Sequence, residues 1–365
     1  MRNAAPLIDR VAAAAFRIPT DAPEADGTLA WDHTTLVVAE VSAAGTTGLG
    51  YSYTGADAAH LINSLLAGRI AGEDGFAIPR LWERMVGAVR NLGWRGICAT
   101  AISAVDTALW DLKARLLEQP LVQLLGAART EVPIYGSGGF TSYTAKQLTE
   151  QLGGWVARDG CRWVKMKIGS DPAHDLERAK IARAAIDGAE LFVDANGAYA
   201  RKQALGFAAQ YAELGVSWFE EPVSSDDLEG LRLMRDRGPD AMEIAAGEYG
   251  YDPAYFRRML EAGAVDVLQA DATRCGGITG FLRAAALADA HMVPLSAHAA
   301  PALHLHVCCA APRLRHIEWF HDHVRIEAML FDGAPVPDRG VIRPDLSQPG
   351  HGLTFRRNDA ARFAV

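Results

Sequence analysis

From Val132 to about Phe320, short apolar runs alternate with amphipathic stretches, and almost every apolar run leads into an ionisable residue. Trp163-Val164-Lys165-Met166 leads to Lys167, and Leu191-Phe192-Val193 to Asp194. Val216-Ser217-Trp218-Phe219 leads to Glu220, and Glu243-Ile244-Ala245-Ala246-Gly247 to Glu248. Val265–Ala270 leads to Asp271, Val293–Ala297 to His298, and His316-Ile317 to Glu318. Runs that are apolar on both faces read as strands of a parallel sheet. The steps between these residues are 27, 26, 28, 23, 27 and 20 positions. A strand, a helix and two loops occupy that length, since a βαβ unit takes roughly 30 residues. The spacing predicts helices over about 145–158, 175–187, 201–214, 227–237, 253–262 and 278–290. With Val132-Pro133-Ile134-Tyr135-Gly136-Ser137 as the first strand there are eight, which points to a closed parallel barrel.

The chain before the barrel is patterned differently. Pro6–Pro19, Thr34–Val41 and Leu49–Tyr53 read as strands, separated by a loop over Thr20–Trp31 and a turn over Ala44–Gly48. Helical periodicity follows over 56–67, 77–90 and 98–116, with Ile102, Val105, Leu109, Leu112 and Leu116 on one face of the last. Strands followed by helices, without alternation, predict an α+β unit over 1–130 that caps a barrel over 131–334. The tail, 335–365, is rich in Pro and Gly and is expected to pack back on the cap. Gly45, Gly48 and Gly50 read as a hairpin turn, because no helix starts where a phosphate loop would require one. Asp106 and Asp111 read as structural, and His304, His306, His321 and His323 as structural or rim residues, the last two in a loop.

Composition narrows the picture only slightly. Half of the 365 residues are hydrophobic and the net charge is -8 without a like-charge block, which argues against nucleic acid or anionic membrane as partner. No run is long and apolar enough for a membrane span, and no secretory core follows the N-terminus. The five cysteines are odd in number and form no CxxC, so buried thiols in a reducing cytoplasm are expected. A homo-oligomer acting on a small molecule is the expected state.

The strand-end residues suggest the chemistry. In a closed barrel all strand ends converge on one mouth, so Asp194, Glu220 and Glu248 meet there. Three bare carboxylates repel one another, and a hard divalent cation removes that cost; all-oxygen ligands favour Mg²⁺ over zinc. Lys165 and Lys167 alternate with Met166 and so share a face. A lysine beside another cation and a metal is tuned toward neutrality and can act as a base. Asp271 can orient His298 as a second base, and Glu318, among other acids, is expected to stay protonated and donate a hydrogen bond. This set suits abstraction of a proton next to a carboxylate. Two other readings stand beside it. One is a metal-free aldolase, with Lys167 forming a Schiff base and Arg274–Gly280 serving as a phosphate loop. The other is a barrel that binds metal without catalysis.

The motifs also carry a resemblance. Lys165-Met166-Lys167, Asp194-Ala195-Asn196, Glu220-Glu221-Pro222, Gly247-Glu248, Asp271–Gly277, Ser296-Ala297-His298 and Glu318 together resemble the mandelate racemase subgroup of the enolase superfamily. The resemblance implies an α/β fold, a modified (β/α)7β TIM-like barrel under an N-terminal α+β capping domain. It implies Mg²⁺ on Asp194, Glu220 and Glu248, Lys167 as one base, the Asp271–His298 dyad as the other, and Glu318 as an electrophilic acid. Lys165 and Asn196 would polarise the substrate carboxylate. The loop ending at Trp31 would close over the site, so that Trp31 and Ser137 join Asn196 in binding substrate. Members with a lysine at the end of strand six are set aside, since Asp271 stands there. Dehydration of an acid sugar to a 2-keto-3-deoxy acid is then the expected reaction, ahead of two-base racemisation of a 2-hydroxy acid; that order is analogy.

Overall fold

Ile8–Ala25 (β1), Ala30–Ala43 (β2) and Thr46–Tyr53 (β3) form an antiparallel sheet in strand order β1-β2-β3, in a computed structural model that describes residues 5–365. The helix Ile97–Leu116 lies across this sheet. Its alanines allow backbone-level approach: a Cβ at Gly48 would fall 2.2 Å from the Ala108 carbonyl oxygen, and one at Gly50 2.2 Å from that of Ala104. The glycines at 48 and 50 are therefore strand positions facing a helix, and only Gly45, with φ +77°, serves the turn.

Of the stretch expected as a loop over Thr20–Trp31, only residues 26–29 are a turn; the rest is strand. β1 continues to Ala25 and pairs with β2 through Glu24↔Trp31 and Ala25↔Ala30, after a register shift beyond Pro19. The prolines and Asp21 mimic loop composition, but β1 is an edge strand, where a missing N–H costs no ladder bond. The stretch predicted as one helix over 56–67 is Asp57–Leu61 and Ala67–Ile70 joined by a wider turn over Ile62–Leu66.

Eight parallel strands form the barrel: Val132–Gly138 (β4), Trp163–Lys167 (β5), Glu190–Asp194 (β6), Val216–Glu220 (β7), Glu243–Ala246 (β8), Val267–Ala270 (β9), Leu295–Ala297 (β10) and Leu314–Phe320 (β11). Pairing of β11 with β4, Ile317↔Ile134 through Phe320↔Ser137, closes it. The predicted barrel helices appear at Ala145–Ala157, Asp175–Ala185, Arg201–Glu213, Leu228–Arg237, Pro253–Glu261 and Gly277–Ala290. A helix over His321–Leu330 starts directly after β11, so His321 and His323 are helical rather than in a loop; Phe320 ends the strand and caps the helix with no turn residue between.

Inward positions alternate along each strand, so Phe192 lies one step below Asp194 and Trp218 one step below Glu220. Phe192, Trp218 and Tyr135 pack inside the barrel, the first two stacked at 5.0 Å, and this aromatic layer floors the site. The tail touches both units. Val341–Ile342 pairs antiparallel with β4, whereas Gly350 accepts from Leu121 at 2.7 Å and Val365 donates to the Ala15 carbonyl at 3.1 Å. All five cysteines are unpaired and buried, and no helix among the described residues is long and apolar enough to cross a membrane.

Candidate active site

Asp194, Glu220 and Glu248 meet at the C-terminal mouth of the barrel, each buried, with a carboxylate oxygen from each lying within 4.8 Å of the others. Asp194 and Glu220 are the last residues of β6 and β7 and stand opposite one another in register. Glu248 arrives by a sharper route. Gly247 turns the chain at φ +136°, and a Cβ there would sit 2.1 Å from the Gln269 carbonyl oxygen. Asn196, Glu221, Ala299 and Ala300 also adopt left-handed backbone, at φ +46°, +38°, +50° and +39°. Strain of this kind collects where function fixes the strand ends.

Lys167 donates to Asp194 Oδ2 at 2.5 Å on one flank. On the other, His298 Nδ1 lies 2.9 Å from Asp271 Oδ2, and its Nε2 faces Glu248 Oε2 at 3.4 Å and Glu318 Oε2 at 3.6 Å. Burial pulls the Asp271 carboxyl up, but the hydrogen bond and charge of His298 hold it well below the ordinary carboxylate range. An ionised Asp271 makes Nδ1 the donor and leaves Nε2 as the proton-transfer end. Burial pushes Glu220 up to about 8, followed by the charge of Asp194 and against the pull of Lys165. Glu248 Oε2 is buried without a hydrogen-bond partner. Three oxygen donors that repel one another, one with an unpartnered oxygen, fit a hard cation.

Several expectations change here. Lys167 was expected to move toward neutrality. Burial does lower it, but the charges of Asp194 and Glu248 outweigh that and raise it above the ordinary lysine value. A cation shared by those acids would remove that field. Glu318 was expected to stay protonated; burial favours this, but Lys165 and His298 reverse it and hold the carboxyl low. Lys165 is fully buried among the acids themselves, 2.6 Å from Glu220, 2.8 Å from Glu318 and 3.4 Å from Asp194. Ser137 is likewise fully buried, and its hydroxyl donates to Glu318 Oε1 at 2.5 Å instead of facing a substrate. The Arg274–Gly280 turn is no phosphate loop: the amides of Gly276 and Gly277 donate to Ser103 Oγ, and that of Thr279 to Asp106.

A cavity of about 400 Å³ opens above the acids, and Lys167, Asn196, His298 and Trp31 line it. Polar groups from the cap complete the wall, among them Asp26, His33, Thr34, Thr35 and Thr54. Tyr249 also lines it and was missed, and so does Arg274, which the sequence offered only within a motif and as the start of a phosphate loop; its Nη1 lies 3.3 Å from Glu248 Oε1, on the turn that follows Asp271. That position, the first cation after a strand-end acid, was the available signal. His304 is structural as expected: its Nε2 accepts from the Ala272 amide at 2.7 Å, and His306 Nδ1 accepts from that of Val122 at 3.1 Å.

A capped parallel barrel with acids and bases gathered at its mouth is the architecture of the enolase superfamily. Residues 16–126 match the mandelate racemase / muconate lactonizing enzyme N-terminal domain, and residues 147–360 the enolase C-terminal domain-like family; the chain belongs to this superfamily. A mandelate racemase/muconate lactonizing enzyme-like protein from Rubrobacter xylanophilus superimposes with a TM-score of 0.96 at 51% identity, over 99% of this chain and 100% of that one. A racemase from Streptomyces coelicolor with bound magnesium gives 0.92 at 31%, over 98% and 100%. Among curated relatives, the 3,6-anhydro-α-L-galactonate cycloisomerase of Streptomyces coelicolor is 32% identical over 98% of this chain and 100% of its own. The L-talarate/galactarate dehydratase of Salmonella typhimurium is 32% identical over 90% and 81%.

Proposed function

We propose that this enzyme dehydrates an acid sugar to a 2-keto-3-deoxy acid with Mg²⁺ as cofactor, held by Asp194, Glu220 and Glu248. The observation that carries this reading is the pairing of two bases, one on each flank of the three acids, with a wall of hydroxyl, amide and imidazole groups above them. The threonines and histidines of that wall can hydrogen-bond a chain of hydroxyls, and Trp31, Tyr53, Tyr249 and Phe320 beside them supply apolar surface for its carbon skeleton. When bound, Mg²⁺ would neutralise the substrate carboxylate and stabilise the charge that develops on it.

The remaining work belongs to the side chains. Neutral Lys167 takes the α-proton and becomes an ammonium. His298, as imidazolium held by Asp271, gives its proton to the departing 3-hydroxyl, which leaves as water; the enol left behind takes up a proton at C3 and loses one from its 2-hydroxyl, giving the 2-keto-3-deoxy acid. Asn196 and Arg274 orient the substrate from the cavity wall, while Lys165 and Ser137 hold the acid side chains. Racemisation is the second reading, since the same two bases could exchange a proton across both faces.

Incubation with a library of mono- and diacid sugars, including anhydro acids, distinguishes them. A keto acid formed from at least one member, lost on chelation and restored by Mg²⁺, is the expected result. Exchange of the α-proton in D₂O with no keto acid from any member would move the assignment to racemisation. Borohydride trapping of substrate on Lys167 would instead favour the aldolase.

A further inference from the structure

A second set of metal-type donors converges beside the hairpin, outside the barrel mouth. Asp21 and Glu24 on β1 and His321 after β11 each offer a ligand atom within 4.8 Å of the other two. His321 Nε2 lies 3.0 Å from Asp21 Oδ2. Taken alone, that contact is an ordinary ion pair at the rim. It leaves Glu24 unexplained. The Glu24 side chain is 1% exposed; its Oε2 accepts the Trp31 indole N–H at 2.7 Å, while its Oε1 is buried with no partner. Asp322, next in the chain to His321, repeats the pattern: it is fully buried, Arg325 takes Oδ1, and Oδ2 has no partner.

An unsatisfied buried carboxylate oxygen is costly, and two in one neighbourhood call for a cation. Asp21, Glu24 and Asp322 have one guanidinium, Arg325, and one imidazole near them; Arg158, which lines the same cleft with Glu150, is paired with Asp159 at 2.9 Å. A cleft of about 370 Å³ lined by Asp21, His321 and Tyr143 gives access from solvent.

We propose that Asp21, Glu24 and His321 form a second divalent-metal site, whose mixed nitrogen and oxygen donors suit a zinc-class ion rather than Mg²⁺. The ion would clasp the hairpin to the end of the last barrel strand, joining residues 300 positions apart. Glu24 also carries Trp31, whose ring meets Phe140 edge-on at 5.6 Å on the cavity wall. Occupancy would therefore hold that wall in place without touching the acids at the mouth.

The test uses the full chain, stripped of metal, then saturated with Mg²⁺ to fill the mouth and titrated with Zn²⁺ by calorimetry. One Zn²⁺ per chain is expected, with affinity weakened at least tenfold in Asp21→Asn and in His321→Gln. Both side chains are partly exposed, at 46% and 24%, so these variants should keep the parent's circular dichroism. Glu220→Gln should retain the zinc site, which separates it from the acids at the mouth. Absence of a zinc site in the Mg²⁺-saturated parent, or its survival in the Asp21→Asn, His321→Gln double variant, overturns the proposal.

Discussion

Lys167 and His298 work against the same carboxylates but are held differently. Lys167 is anchored by one of those acids, at 2.5 Å from Asp194, whereas His298 is oriented by Asp271 from behind. Removing either should therefore stop dehydration by different routes. Lys167→Ala loses the base, and His298→Asn loses the acid that expels the hydroxyl; each should lower turnover by about 10²–10⁴-fold. In D₂O one of the two should still exchange the α-proton, because the remaining base reaches one face, and NMR of recovered substrate reads this directly. Wild-type turnover in both variants would end the two-base account. Glu220 is tested separately. The Gln variant keeps the shape but removes a negative ligand, so Mg²⁺ affinity measured by calorimetry should fall at least tenfold. Unchanged affinity would remove Glu220 from the ligand set.

The hairpin of β1 and β2 is the element that places the cap over the barrel mouth. Its tip is fixed by backbone: the Thr141 amide donates to the Ala25 carbonyl at 2.8 Å, and Ser142 Oγ to that of Pro23 at 2.6 Å. Gly27 makes the closest approach. A Cβ there would stand 2.3 Å from the Ala195 carbonyl oxygen and 2.6 Å from that of Ile168, neither of which can swing aside. Gly27→Ala should lift the tip, raise KM at least tenfold and leave the melting temperature nearly unchanged, since the contact is local. Steady-state kinetics and a thermal melt check both parts; an unaltered KM would mean that the tip does not shape the substrate cavity. This element also marks where the sequence misleads. The barrel was legible because its pattern repeats, with an ionisable residue at the end of every buried strand but the first. The hairpin occurs once, and Pro19, Asp21 and Pro23 are turn-type residues that an edge strand happens to tolerate, while Gly27 does sit in the turn. Asp194, Glu220, Glu248 and the Asp271–His298 pair could be found from spacing. The full burial of Lys165 and Ser137 against Glu220 and Glu318 could not, because alternation gives the face of a strand and not the partner each side chain reaches.

At the scale of the whole molecule, cap and barrel are joined by buried polar contacts that no local pattern announces. Asp106 takes the Thr279 amide and hydroxyl 173 positions away, and Trp82 donates to the Gly276 carbonyl across 194. The most telling is Glu327, which accepts from Tyr51 of the cap at 2.6 Å and from the Ala302 amide of the barrel at 3.0 Å. Burial pushes its carboxyl from the ordinary value of 4.5 up to about 8, against the pull of both hydrogen bonds. The folded chain therefore keeps a proton that the unfolded chain releases near 4.5. Between those two values the folded state binds more protons, so stability falls as pH rises. The contribution is fully present below about 4.5 and is lost by the time pH passes about 8. Glu327→Gln keeps a neutral group of the same shape and can still accept from Ala302. It should remove this part of the pH dependence, leaving the variant with a melting temperature roughly 2 °C or more above the parent at alkaline pH and little difference at pH 5. Melting curves of both proteins from pH 5 to 9 decide it: parallel profiles would show that Glu327 is already ionised in the folded chain and that the joint tolerates its charge.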